Sequence, residues 1–148
     1  MRPIALDTNA RSAFRRGDQD VLDVLGNADE MLLGTVVLWE LLAGFGLGSQ
    51  DAPIRAELTQ FLQSPRLQIV PVQLSTADIY ANLVGLIRRR GWPIPTNDVW
   101  IAAGALENGA ALLTLDAHFT DIDGLRAGAD PGRVSALRSL RDCSSDRS

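Results

Sequence analysis

The 148-residue chain contains no lysine, so all 14 of its basic residues are arginines. Walker-A phosphate loops, pyridoxal Schiff bases and the lysine-dependent phosphatases and response regulators all need a lysine amine, so these chemistries are excluded. Its single cysteine, Cys143, rules out a disulfide framework within the chain. The chain also lacks an apolar run near the roughly 20 residues that span a bilayer, and its first residues lack the apolar core of a signal peptide. We therefore expect a cytoplasmic protein that does not enter membranes.

Acidic residues outnumber basic ones, with 18 aspartates and glutamates giving a formal net charge of -4. A protein that binds nucleic acid by electrostatics alone normally has a basic face and a high isoelectric point. If RNA or DNA is the ligand of this chain, something else must offset its acids.

Short apolar segments alternate with longer amphipathic ones along the chain. The pattern predicts strands at residues 3–6, 31–34, 67–70 and 111–115, separated by helical segments. This alternation predicts an α/β fold in which a mainly parallel central sheet of four to five strands is flanked by helices on both faces. The pattern weakens after Leu125, so we expect one domain in residues 1–125 and a C-terminal extension, 126–148, that is part of the same domain or partly disordered.

Four carboxylates stand at unusual places in this pattern. Asp7 and Asp116 each follow a predicted buried strand, at the edge where open α/β sheets bind ligands. Asp98 opens the first turn of a predicted helix, and Glu40 interrupts an apolar one. Each aspartate taken alone is more typical of a turn residue or a helix-end residue than of a functional site. Glu40 is harder to explain that way, because a buried carboxylate is costly without a paired charge or a metal.

Convergence of the four acids would require a cation or protons. Two unit charges about 4 Å apart repel by about 4 kcal/mol at an effective dielectric constant of about 20. Since none of the four is a cysteine or histidine, an all-oxygen site would select Mg²⁺ or Mn²⁺. Hard divalent ions held by carboxylates assist phosphodiester hydrolysis, because they activate water and stabilise the leaving oxygen.

Three blocks of the chain resemble the motifs of PIN-domain ribonucleases of the VapC-like toxin group. The first is IALDTN at residues 4–9, and the second is TVVLWELLAG at residues 35–44. The third is TNDVWIAA at residues 96–103, which leads into LTLDAHF at residues 113–119. With the helices between them, the resemblance covers about residues 3 to 125.

The resemblance implies a PIN-like nuclease domain and a metal-dependent endoribonuclease of single-stranded RNA. Its implied cofactor is Mg²⁺ or Mn²⁺, and its implied partners are an RNA substrate, a cognate antitoxin protein and a second copy in a homodimer. Asp7 and Asp98 would be the principal metal ligands, while Glu40 and Asp116 would bind through water or hold a second ion. The supporting residues, which would hydrogen-bond the carboxylates, are Asn9 and Thr114.

The C-terminal edge departs from the family pattern. A fifth strand often follows a Gly-Leu-Arg element in this family, whereas residues 124–126 here lead into a stretch rich in Gly, Ala, Asp and Pro.

Arginines and the single histidine are secondary candidates. Arg11, Arg15 and Arg16 follow the Asp7 loop closely and are candidate RNA contacts through the phosphates. His118 is expected to be a surface residue, because a metal-activated water needs no imidazole base.

Two other functions compete with the nuclease interpretation. A phosphatase or receiver-type phosphate acceptor with Asp7 as nucleophile fails, because the haloacid-dehalogenase motif needs aspartate where Asn9 stands and both families need a lysine. A catalytically inactive PIN-like binding module stays open. The four acids argue against it, since a scaffold gains nothing from burying their mutual repulsion.

Overall fold

A computed structural model of the chain describes residues 3–44 and 51–129. Five parallel strands form one sheet in the order β3-β2-β1-β4-β5. The strands are β1 Ile4–Leu6, β2 Met31–Gly34, β3 Leu67–Val70, β4 Ala111–Leu113 and β5 Ala127–Gly128. The helices are α1 Thr8–Arg15, α2 Gln19–Asn27, α3 Thr35–Gly44, α4 Asp51–Leu62, α5 Leu74–Arg90 and α6 Thr96–Glu107.

The predicted α/β class is confirmed, and the burial of the central strands shows that both faces of the sheet are covered. Every residue of β1 and β4 is buried. Because successive side chains of a strand point to opposite faces, a fully buried strand has packing on both sides. None of the helices within residues 3–44 and 51–129 is long and apolar enough to cross a membrane.

Strand order creates a crevice at the carboxyl ends of β1 and β4. The chain proceeds from β1 to β2 and β3 on one side, and then returns to place β4 on the other side of β1. Leu6 lies opposite Leu113 in the register, and the Asp7 N–H donates to the Leu113 carbonyl at 3.1 Å. Open α/β sheets bind ligands outside the carboxyl ends of the strands where the order reverses, and the residues that follow β1 and β4 occupy that position.

Small side chains let α6 pack closely against the core. Ala102 and Ala103 are fully buried members of the hydrophobic core, which also contains Leu112 and Leu113 of β4. Close packing of this helix sets the position of its first turn, which contains Asp98.

Side chains satisfy backbone groups at the starts of α2 and α5. Asp18 caps α2, as its side chain accepts hydrogen bonds from the N–H groups of Asp20 and Val21. Helix α5 begins at Leu74. The Thr76 hydroxyl is buried inside the first turn and accepts the Gln73 N–H at 2.9 Å, so it stabilises this helix end from within the helix.

The C-terminal edge has a strand that the sequence pattern did not indicate. Two residues, Ala127–Gly128, pair with β4, and the Thr114 N–H donates to the Gly128 carbonyl at 3.1 Å. The fourth strand ends at Leu113, two residues before its predicted end. Residues 130–148, which include Cys143, lie outside the described residues, and the domain division at residue 125 stays a prediction.

We expect Leu112→Ala to lower the free energy of unfolding by about 3 kcal/mol, because it opens a cavity at a fully buried position of β4. The matched control is Leu74→Ala, where 82% of the leucine is exposed and the expected change is within about 0.5 kcal/mol. Urea denaturation of the full chain measures both. Equal losses would contradict the described packing.

Candidate active site

Asp7 is the most buried acid of the crevice, with 4% of its surface exposed. Its Oδ1 accepts the Thr8 N–H at 2.8 Å, and its Oδ2 accepts the Thr114 hydroxyl at 2.7 Å. Burial raises the pKa of Asp7 above its ordinary value, and the negative charges of Glu40 and Asp116 raise it further. The two hydrogen bonds act in the opposite direction, because they stabilise the charged form.

Asp98 lies in the first turn of α6, and 18% of its side chain is exposed. The pKa of this carboxyl is raised to about 6, mainly by burial. The charges of Asp7, Asp116 and Glu40 add to the rise, while His118 opposes it. The structure therefore brings together all four acids that the sequence singled out, close enough for each of the other three to affect Asp98.

Thr8 links Glu40 to Asp7 and was missed in the sequence. The half-buried Glu40 accepts the Thr8 hydroxyl through Oε2 at 2.9 Å, while the Thr8 N–H bonds Asp7. The sequence indicated that Glu40 needs a partner. That partner is the neutral hydroxyl of Thr8. A hydroxyl residue that directly follows a strand-end aspartate and begins a helix was the available signal.

Asp116 and His118 form the exposed side of the cluster. Oδ1 of Asp116 accepts the His118 backbone N–H at 2.9 Å and lies 3.0 Å from the imidazole Nδ1. The same Nδ1 lies 4.0 Å from Oδ2 of Asp98. One ligand atom from each of these three residues lies within 4.8 Å of the others, which is close enough for a shared metal ion.

His118 adds a nitrogen to the candidate ligand atoms of the crevice. Its side chain is 52% exposed, so it lies at the surface as expected, but it also faces the acids. The prediction of an all-oxygen site omits this nitrogen, because sequence spacing alone does not show which way a side chain points.

Asn9 and Thr114 hold the crevice in different ways. Thr114 is buried and donates to Asp7, and its hydroxyl oxygen accepts the Asp116 N–H at 3.0 Å. Asn9 was expected to hydrogen-bond a carboxylate, but its Oδ1 accepts the Leu115 N–H at 3.0 Å. It thus ties the start of α1 to the loop that follows β4, on which Asp116 stands.

The candidate RNA-binding arginines are engaged within the protein or lie far along α1. Arg11 is 6% exposed, and its guanidinium lies 4.8 Å from the centroid of the Phe61 ring in α4. Arg15 pairs with Glu57, also in α4, at 3.0 Å. The exposed Arg16 follows the eight residues of α1, so its backbone lies about 12 Å along the helix axis from Thr8. An RNA contact through these residues stays a prediction.

Comparison with known proteins agrees with this fold and crevice. The model of the PIN domain family matches residues 4–125, a range that contains all four acids. The chain belongs to the PIN domain family, which confirms the resemblance seen in its sequence motifs.

Individual relatives support the same assignment. Ribonuclease VapC5 of Mycobacterium tuberculosis is 32% identical over 120 residues, which cover 80% of this chain and 87% of the relative. The crystal structure of VapBC2 from Rickettsia felis, bound to a DNA fragment from its promoter, includes a chain that matches with a TM-score of 0.75 and 25% identity. The match covers 84% of this chain and 96% of that one. VapBC-5 from M. tuberculosis, a toxin-antitoxin system, matches with a TM-score of 0.64, 27% identity, and coverage of 84% and 93%.

In EDTA, we expect Asp98→Asn to raise the free energy of unfolding at pH 7.5 by about 2 kcal/mol, less than the full pKa shift corresponds to, because solvent screens part of the charge of this carboxyl. The pKa of Asp98 rises from 3.8 to about 6 on folding. Its carboxyl therefore contributes stability that is fully present below pH 3.8 and is lost as the pH rises through about 6. The advantage of the variant should accordingly vanish near pH 4.

Denaturation of both proteins at the two pH values measures this effect. The matched control is Asp121→Asn, which removes the same charge from an exposed residue. A variant no more stable than wild type at pH 7.5 would contradict the described repulsion.

Proposed function

We propose that this chain is a metal-dependent endoribonuclease and the toxin of a toxin-antitoxin pair. The observation that carries the proposal is the cluster of Asp7, Glu40, Asp98 and Asp116 in the crevice between β1 and β4 of a PIN domain. Contacts through Thr8, Thr114 and His118 link the four acids. Sequence similarity to a VapC ribonuclease supports RNA as the substrate. The reaction is hydrolysis of a phosphodiester bond.

The donor chemistry of the cluster fits a hard divalent cation. Carboxylate oxygens suit Mg²⁺ and Mn²⁺. Burial, together with repulsion from the neighbouring acids, raises the pKa values of Asp7 and Asp98, and a bound cation would offset both effects. Asp7 and Asp98 are the principal ligands, and Glu40 and Asp116 bind through water or hold a second ion. When bound, the ion supplies Lewis-acid activation of water and of the scissile phosphate.

Burial assigns different tasks to the acids. Asp7 is too enclosed to touch a polynucleotide, so its carboxylate acts only on the ion. Asp116 has 29% of its side chain exposed and lies on the side from which RNA can approach. Thr8 and Thr114 orient the carboxylates by hydrogen bonds, as outer-shell residues do in metal sites.

Apolar surface supports the predicted protein partners. Trp39 and Leu42 of α3 are exposed, as are Ile69, Val72 and Leu74 at the β3–α5 connection. Large exposed apolar side chains are typical of surfaces that another protein covers. The similar structures described above contain toxin-antitoxin complexes, which supports a cognate antitoxin as one partner. The other predicted protein partner is a second copy of this chain in a homodimer. The RNA substrate and both protein partners would meet this chain in the cytoplasm.

The first test is cleavage of a mixed pool of single-stranded RNA with Mg²⁺, Mn²⁺ or EDTA. We expect cleavage by wild type only with metal, and a loss of more than about a hundredfold in Asp98→Asn and Asp7→Asn, because each removes a principal ligand. Asp121→Asn is the matched control and should cleave normally. Full activity of Asp98→Asn would remove that residue from the mechanism. A folded wild type that neither cleaves nor binds metal would favour the inactive binding module.

The second test concerns the Thr8 hydroxyl. Thr8→Val removes the hydrogen bond to Glu40 at nearly constant volume, and we expect the affinity for Mn²⁺ to fall about tenfold. Thr8→Ser retains a hydroxyl and should bind nearly as wild type does. Isothermal titration calorimetry measures both. Wild-type affinity in Thr8→Val would show that this hydroxyl does not orient the site.

A further inference from the structure

His118 is the only histidine of the chain, and its imidazole faces two acids of the crevice. Its Nδ1 lies 3.0 Å from Asp116 Oδ1 and 4.0 Å from Asp98 Oδ2. The side chain is half exposed, so burial of the imidazole does not explain why it faces the acids.

Local structure holds the imidazole at this place. His118 is the middle residue of a 3₁₀ turn, Ala117–Phe119, and the Asp116 side chain caps that turn by accepting the His118 N–H. The next residue, Phe119, is fully buried and anchors the turn in the core. The direction of the imidazole thus follows from a capped and anchored backbone.

The distances suit ligands of a single ion. Two ligands on adjacent corners of an octahedron, with bonds of about 2.1 Å, lie about 3 Å apart, and ligands on opposite corners lie about 4.2 Å apart. The two distances from Nδ1 fall near these values. One ligand atom of each residue lies within 4.8 Å of the others, so a bound ion would draw the widest pair slightly closer together.

We propose that Nδ1 of His118 is a ligand of the second divalent ion, which Asp116 holds together with Asp98, and that this nitrogen makes the site favour Mn²⁺ over Mg²⁺. Imidazole is a ligand of transition metals, whereas Mg²⁺ takes oxygen ligands. One nitrogen among carboxylates therefore adds affinity for Mn²⁺ and little for Mg²⁺. This inference rests on the proposed function, since it concerns the same metal site.

A hydrogen bond from Nδ1–H to Asp116 would give the same 3.0 Å separation. In that case His118 would only position the carboxylate and would never touch the ion. Activity alone does not separate these two roles, because both would lower the rate in a variant. The test must detect the metal–nitrogen bond itself.

The experiment uses the tag-free full chain loaded with Mn²⁺ and electron spin-echo envelope modulation, which detects ¹⁴N nuclei bonded to the metal. The lone histidine makes the assignment unambiguous, because imidazole nitrogen can come only from His118. The variants are His118→Ala, which removes the ligand, and His118→Asn, which places an amide oxygen near the position of Nδ1. Circular dichroism checks that each variant is folded, and titration calorimetry gives the Mn²⁺ and Mg²⁺ affinities.

We expect ¹⁴N modulation in wild type and none in either variant at equal Mn²⁺ occupancy. His118→Ala should lower Mn²⁺ affinity about tenfold and Mg²⁺ affinity less than about threefold. His118→Asn should retain Mg²⁺ affinity and lose the preference for Mn²⁺. Mn²⁺ binding by wild type without ¹⁴N modulation would overturn this inference and leave the proposed nuclease intact. A wild type that binds neither ion would overturn both.

Discussion

Mutual repulsion among four carboxylates in one crevice is the constraint on which the functional part of this molecule depends. Asp7 is nearly enclosed. Burial raises the pKa values of both Asp7 and Asp98, and the charges of the neighbouring acids raise them further. The contacts described for Asp7 and Glu40 are hydrogen bonds from the hydroxyls of Thr8 and Thr114 and from a backbone amide. Such bonds orient the carboxylates without neutralising them, so the crevice retains an attraction for cations.

Sheet topology positions this charge. Parallel pairing of β1 with β4 places Asp7 and Thr114 at one level, because Leu6 and Leu113 are opposite each other. The buried alanines of α6 let the helix pack against the core, which brings its first-turn acid to the same edge. Stability and function are thus opposed here, since the packing that holds the core together also gathers like charges.

Several features of the site could be predicted because they depend on local sequence. An acid directly after a buried apolar strand lies where the strands of the sheet end, which made Asp7 a candidate. A glutamate in an apolar helix needs a partner, which made Glu40 another. The local sequence marks Thr8 as a hydroxyl residue at a helix start. Its pairing with Glu40 could not be predicted, because 32 residues separate the two along the chain. Arg11 and Arg15 show the same limit, since their contacts with Phe61 and Glu57 depend on how α4 packs against α1.

The sequence by itself determined the α/β class, the approximate extents of its main strands and helices and the motifs of its family, because periodicity, capping and strand ends are local properties of the chain. Only the tertiary structure decided which groups meet. The Thr114 hydroxyl reaches Asp7 across 107 residues, and the imidazole of His118 turns toward Asp98. Such distances of a few ångströms depend on the register of β1 with β4 and the packing of α6, which no spacing along the chain encodes.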